Sequence, residues 1–285
     1  METIILIISL TALIIGSYTD IKKREVPDLV NYGIIFLGIG VSIIFSIINH
    51  NVSFFFNSLF GFFFMFLFGA LMFYSGQWGG GDSKMLMGLG ALLGLEISIK
   101  TWFTNIPDNI PFLFKFIALV LVVGGVYGLV WGIYIGMKHK KKFFERVEEK
   151  LYAPIMSRIK LLLIILALVG ILYSFTLEFK LRMFMYLLIL LMLVTFYLIV
   201  FIKIIEEVGM VKEVPPEKLT EGDWINKDIV VKNKLIAGPK DLGISKEQIE
   251  KLKKLKIKKV EIKEGMPFVP AFLIAFVILI VFFLT

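Results

Sequence analysis

The chain has 285 residues, of which 58% are hydrophobic, and its apolar runs of about 17–25 residues have the length that crosses a bilayer, which excludes a purely soluble fold. It contains no cysteine, so disulfides, thiolate zinc sites and a cysteine nucleophile are excluded. Lys and Arg number 31 against 23 Asp and Glu, a net charge of +8, and in a membrane chain that excess follows the positive-inside rule rather than marking a nucleic-acid partner.

Residues 1–18 are apolar, with no basic residue before them and Lys22, Lys23 and Arg24 after them. A secretory signal peptide has the opposite charge order, so this pattern predicts an uncleaved first helix with its N-terminus outside. Asp20 sits at its inner end. Residues 21–27 form a cytoplasmic turn, and Pro27 opens a second helix near Asp28 that runs to about residue 48. After a short external loop at 50–52, a third span over 54–74 returns to the cytoplasm and delivers Gly79-Gly80-Gly81-Asp82 there. A fourth helix is predicted from Asp82 to about residue 97. It is interrupted by Gly88, Gly90 and Gly94, small residues that let membrane helices pack backbone to backbone, and so belongs at the centre rather than against lipid.

Residues 101–111, with Pro107 and Pro111, make an external loop. The fifth span, 113–137, ends in the basic run from Lys138 to Lys142, an anchor on anionic lipid. An interfacial amphipathic helix over 143–156 follows, then spans over 161–175 and 182–202. From 203 to 264 the composition turns polar with balanced charge, which argues against nucleic-acid binding. Residues 225–236 read as one or two strands, and Val260 and Ile262 alternate with charges as another. Between them Ser245, with Gln248 three residues on, makes a capping box for a helix reaching about residue 255. Pro267 and Pro270 open a last span to residue 284.

The expected fold class is therefore an α-helical polytopic membrane protein of about six to eight transmembrane helices, with a small α+β cytoplasmic domain before the last helix. The division is a membrane core over 1–202 with a basic cytoplasmic segment at 138–160, a soluble domain over 203–264, and a C-terminal helix over 267–285. Eight candidate spans arise, the fourth and sixth short enough to be re-entrant. An outside N-terminus puts the turn after Asp20, the glycine loop, the Lys138 run and the polar domain all on the cytoplasmic side.

An acidic residue at membrane depth is costly and by default functional. Gly79, Gly80 and Gly81 remove every Cβ where another helix or an extended peptide has to approach, and Asp82, followed by Ser83, reads as the cap of the next helix. Asp20 and Asp82 fall at one depth on one side. Two carboxylates sharing a site cannot both ionise cheaply, so such a pair keeps one proton near neutral pH. The ionised member activates a water and the protonated one polarises an amide carbonyl. Blander readings stand beside this: an interfacial salt bridge for Asp20 with Lys22–Arg24, a simple cap for Asp82, a first-turn carboxylate for Asp28. His50 and His139 have no paired ligands, so no metal is expected, and no cofactor either.

Asp20 with its basic turn and Val26-Pro27-Asp28, together with Gly79-Gly80-Gly81-Asp82, resembles the type IV prepilin peptidases and archaeal preflagellin peptidases, the GxGD membrane aspartic peptidases. The resemblance covers roughly the first hundred residues, and the run from Lys263 to Pro270 also looks like the end of the archaeal members. It implies that Asp20 and Asp82 are the catalytic pair, with no cofactor. It also implies that the substrates are pilin-like or archaellin-like precursors, cut at the cytoplasmic face after a short basic leader. Bacterial members carry a cysteine-bearing zinc domain and methylate the new N-terminus, and without cysteine this chain is expected to be a peptidase without methyltransferase activity. The presenilin branch is excluded, since Tyr18-Thr19-Asp20 breaks its Tyr-Asp pair. Two other classes remain open: a cation-coupled transporter with both aspartates as ion ligands at a broken helix, though no inverted repeat is visible, and a scaffold docking through its soluble domain. Oligomeric state is not addressed by the sequence.

Overall fold

The computed structural model describes residues 2–95, 111–231, 234–241 and 243–284. The expected external loop at 101–110 and the end of the predicted fourth helix lie outside them. In hydrocarbon every backbone polar group has to be satisfied within its own segment, so the apolar runs become helices. Six of these are long and apolar enough to cross a membrane: α1 (Glu2–Lys23), α2 (Asp28–Ile48), α3 (Ser53–Tyr74), α5 (Phe112–Lys138), α7 (Pro154–Ser174) and α8 (Phe179–Ile205). The chain is a multi-pass membrane protein. Large side chains such as Phe36, Phe63 and Leu67 stand exposed on the outer helix faces, where acyl chains take the place of protein.

Six long spans lie within the expected six to eight, and two further apolar helices are shorter. The fourth, α4 (Gly80–Leu93), has 14 residues, about 21 Å at 1.5 Å per residue, which falls short of a hydrocarbon core of about 30 Å. The last, α10 (Val269–Leu284), has 16 residues. The fourth helix ends at Gly94, whose φ of 64° stops it. As the glycine pattern predicted, α4 is central: Leu86, Leu89, Ala91 and Leu93 are all buried. Its neighbours α2 and α3 meet it backbone to backbone. A Cβ added at Gly38 would lie 2.6 Å from the Ala91 carbonyl carbon, and one at Gly61 2.4 Å from the Gly90 oxygen. Ser58 Oγ donates to the Ala91 carbonyl at 2.6 Å and Ser83 Oγ to that of Gly69 at 3.0 Å, so the α3/α4 seam is closed by hydrogen bonds as well as by shape. Because the obstacle at Gly61 is backbone, it cannot rotate away. Gly61→Val is expected to cost about 1–3 kcal/mol, read as a lowered thermal midpoint in detergent; an unchanged midpoint would refute this account of the seam.

The main core joins α1, α4, α5 and α10 through Leu13, Met85, Phe116, Phe272 and Phe276. Helix α10 packs against α1 on one side and α5 on the other. Helices α7 and α8 pair with each other at the periphery, and the amphipathic α6 (Lys140–Tyr152) turns Phe143, Val147 and Leu151 toward Val200, Ile204 and Val208. It begins within the basic run rather than after it.

The C-terminal region before α10 is small and strand-containing. A π-helical turn at Glu206–Met210 continues α8 into β1 (Val211–Val214). Strand β5 (Val260–Lys263) is central, antiparallel to β1 and to β2 (Trp224–Ile225), with Val214 opposite Val260 and Ile225 opposite Ile262. The apolar stretch read as one or two strands divides into β2 and a hairpin of β3 (Ile229–Val231) and β4 (Lys234–Ala237). Helix α9 (Lys246–Lys254) starts at the predicted capping box: the Gln248 N–H donates to Ser245 Oγ at 3.3 Å, and the Ser245 N–H to Gln248 Oε1 at 2.8 Å. Ile225, Ile244, Leu252 and Val260 form the separate core of this region.

Candidate active site

Asp20 belongs to the last turn of α1. That helix closes at Arg24, whose N–H donates to the Asp20 carbonyl at 2.9 Å and whose φ of 60° swings the chain out into Glu25 and Pro27. A left-handed residue after the last turn is the usual way to satisfy a helix's terminal carbonyls. The Asp20 side chain points inward and is only 6% exposed. Its Oδ2 accepts the Val269 N–H at 3.0 Å, and the Phe268 amide is directed at the same carboxylate. The Arg24 guanidinium lies over the Trp131 ring, 5.1 Å from its centroid, and its charge reaches Asp20.

Asp82 sits further into its helix than the cap position expected from the sequence. The N-cap of α4 is Gly79, in an extended conformation, and Asp82 is the third helical residue. Its Oδ2 accepts the Gly79 N–H at 3.0 Å, the reach back that an acid at the third position makes in a capping box. Glycines tolerate entry into the helix at 80 and 81, so the cap moves upstream of the carboxylate. Burial and repulsion from Asp20 push the Asp82 carboxyl up to about 7, against the opposing Gly79 bond. The two carboxylates therefore feel one another across the interface of α1 and α4.

None of the three glycines is required by close packing. A Cβ at Gly79 would lie 3.4 Å from Asp82 Oδ2, one at Gly80 3.8 Å from Phe73, and one at Gly81 3.5 Å from Val26, all ordinary contacts. What they leave is a bare ledge of backbone leading to Asp82.

Asp28 does not join the pair. It is tied to Lys84 of α4 at 2.7 Å, with the Lys84 ammonium also 5.1 Å from the Tyr32 ring centroid. Glu25, His50 and His139 are exposed. Among the described residues no three His, Asp or Glu side chains gather as a metal site.

Two neighbours of the aspartates were not foreseen from the sequence. Trp78, just before the glycine loop, is buried against Phe68, Phe268 and Phe272. The amides of Phe268 and Val269 address Asp20 from the far end of the chain. The signals in the sequence were the resemblance of the run from Lys263 to Pro270 to the end of the archaeal members, and Pro267 and Pro270 themselves, which donate no hydrogen bond and leave the two intervening N–H groups as the donors of that run.

Residues 7–133, which hold both aspartates and the glycine loop, match the type IV leader peptidase family. This part of the membrane core is similar to that family. Among its relatives, the preflagellin peptidase of Methanocaldococcus jannaschii is 38% identical over 87 residues, 30% of this chain and 37% of the relative. The preflagellin peptidase of Methanococcus maripaludis is 42% identical over 87 residues with the same coverage, and that of Methanococcus voltae 40% over 86 residues, 30% of this chain and 36% of the relative. The chain thus spans little more than a third of the length of the curated relatives it matches. No solved structure matches it.

Proposed function

We propose that this protein is a membrane aspartic endopeptidase that removes short basic leader peptides from type IV pilin-like or archaellin-like precursors, with Asp20 and Asp82 as its catalytic pair. The observation that carries the proposal is the coupling of these two carboxylates, Asp20 buried and Asp82 raised to about 7, inside the segment that matches the leader peptidase family. One ionised and one protonated carboxyl suffice for amide hydrolysis. The ionised member takes a proton from water as the oxygen attacks the scissile carbonyl carbon, and the protonated member gives its proton to the carbonyl oxygen. Collapse of the tetrahedral intermediate breaks the C–N bond, the leaving nitrogen takes up a proton, and the pair returns to its single-proton state. Gly79, Gly80 and Gly81 serve as the supporting loop, along which an extended substrate backbone can lie.

The active site faces the cytoplasm and the N-terminus lies outside, because the basic residues at 22–24 and 138–142 then fall on the inner side. The membrane core is assigned to 1–202, with its basic cytoplasmic segment at 138–160, the soluble cytoplasmic domain to 203–264 and the C-terminal transmembrane helix to 267–285. The activity is peptidase without methyl transfer. The reading is tested by incubating membranes that contain the protein with a preflagellin-like precursor: release of the leader supports it, and an intact precursor beside abundant protein refutes it.

A basic leader has to approach through the turn after α1. Asp28 is already paired with Lys84, which leaves Glu25 as the exposed acid of that turn. Glu25→Lys is expected to raise KM for a basic leader by roughly two- to five-fold, the scale of an exposed ion pair, with kcat unaltered. An unaltered KM would remove Glu25 from leader recognition.

A further inference from the structure

We infer that the first turn of α10, through Phe268 and Val269, is a positioning element that fixes Asp20 relative to the glycine loop; the inference rests on the peptidase reading of the aspartate pair. This turn lies outside the residues that match the leader peptidase family, so nothing in the family match assigns it a role.

Four links join the two carboxylates through it. Asp82 Oδ2 accepts the Gly79 N–H at 3.0 Å. Trp78, the residue before Gly79, packs its ring on Phe268 with centroids 5.2 Å apart and on Phe272 at 5.1 Å. Phe268 is followed by Val269, whose N–H donates to Asp20 Oδ2 at 3.0 Å. The middle of this chain of contacts is withdrawn from solvent, with Trp78, Val269 and Phe272 5%, 0% and 0% exposed, while its Gly79–Asp82 end is exposed. Phe268 also has a seat cut for it in α5, since a Cβ at Gly124 would lie 2.4 Å from its Cζ. Flanking prolines remove the competing donors, and α10 begins at Val269, so this N–H has no partner within its own helix.

Helices α1 and α4 also touch directly, and one of their contacts is between Gly16 and the flexible end of Met85, 2.5 Å from an added Cβ. A methionine tip adapts to its surroundings and specifies a position poorly. The route through α10 is by contrast aromatic and hydrogen-bonded, and a catalytic constellation has to be held to within about half an ångström.

The absence of cysteine from the chain makes a direct test simple. Lys23→Cys and Gln77→Cys place two labelling sites at exposed ends of the two aspartate-bearing segments, outside the proposed catalytic machinery. Spin-label distances are then measured in the full-length protein in lipid nanodiscs, in three backgrounds: otherwise unaltered, Phe268→Ala and Phe276→Ala. Phe276 is a buried ring of α10 that packs on Phe112 and Phe116 instead of Trp78, so its loss opens an equal cavity off the proposed route. The expected result is that Phe268→Ala at least doubles the width of the distance distribution and lowers kcat for precursor cleavage about tenfold with KM retained, while Phe276→Ala leaves the distribution narrow. An unchanged distribution in Phe268→Ala, or equal broadening in both variants, overturns the inference. Because the distances are read without catalysis, either result is distinguishable from failure of the peptidase reading, which would appear as cleavage by Asp20→Asn or Asp82→Asn.

Discussion

Asp20→Asn and Asp82→Asn each leave a pilin-like or archaellin-like precursor uncleaved in membranes where the variant protein is as abundant as the unaltered one. The substitution is close to isosteric, and in both places the amide keeps the structural bond of the acid it replaces. The side-chain oxygen of the new asparagine can still accept the Val269 N–H in the first variant and the Gly79 N–H in the second, the contacts made at 3.0 Å by the native carboxylates. What is lost is the ability to take up or release a proton. General acid and base catalysis contribute about 10²–10⁴-fold each, and a pair that works as a unit loses nearly all of this when either member is removed. Abundance by immunoblot and cleavage by mobility shift decide the matter. If one variant still cleaves, its aspartate is structural and the pair does not act as a dyad; ion-dependent uptake by the purified protein then becomes the measurement to make, because a cation-coupled transporter uses the same two carboxylates as ligands.

Much of the architecture was readable because lipid is an unforgiving solvent. Runs such as 28–48 and 53–74 have no stable alternative to helix in hydrocarbon, and the six long helices lie close to where hydropathy put them. The capping box at Ser245 and Gln248 was legible for a similar reason, since each of its bonds belongs to a specific side chain. Strand β1 was not: its four residues pair with β5, which lies almost fifty positions away and carries no local signal. The length of α4 misled because its glycines and apolar residues satisfy a hydropathy window, while Gly94 at φ 64° ends the helix early.

At the candidate site the two aspartates stood out as carboxylates at one membrane depth. The place of Asp82 inside its helix did not, because whether a glycine or the acid takes the cap depends on which backbone N–H the carboxylate reaches. The partner of Asp20 was hidden for a deeper reason. It is a backbone amide, common to every residue but proline, and only the fold brings Val269 beside a residue 249 positions earlier.

Cleavage should fall as pH rises above about 7, by roughly tenfold per pH unit once the pair has lost its remaining proton. The Asp82 carboxyl is raised to about 7 by burial first and by the Asp20 charge second. On the proposed mechanism, Asp82 below that pH holds the proton given to the carbonyl oxygen, and above it that proton is lost. The same shift acts on stability, with a sign that follows from proton counting. In the folded chain Asp82 keeps its proton up to about 7, whereas in the unfolded chain it loses it near its ordinary 3.8. The folded state thus binds more protons through that window, and its stability declines as pH rises across it. Asp82→Asn abolishes this contribution, so the variant should be inactive yet gain stability relative to the native chain as pH is raised from 4 to 8 (roughly the span of the shift). Thermal midpoints in detergent for the two proteins across that range check the stability half, and a kcat profile for leader cleavage checks the other. A profile flat to pH 9, about two units past the shifted value, would mean that no proton on Asp82 is needed for the reaction. The acid that serves the carbonyl oxygen would then have to be sought elsewhere at the junction of α1, α4 and α10.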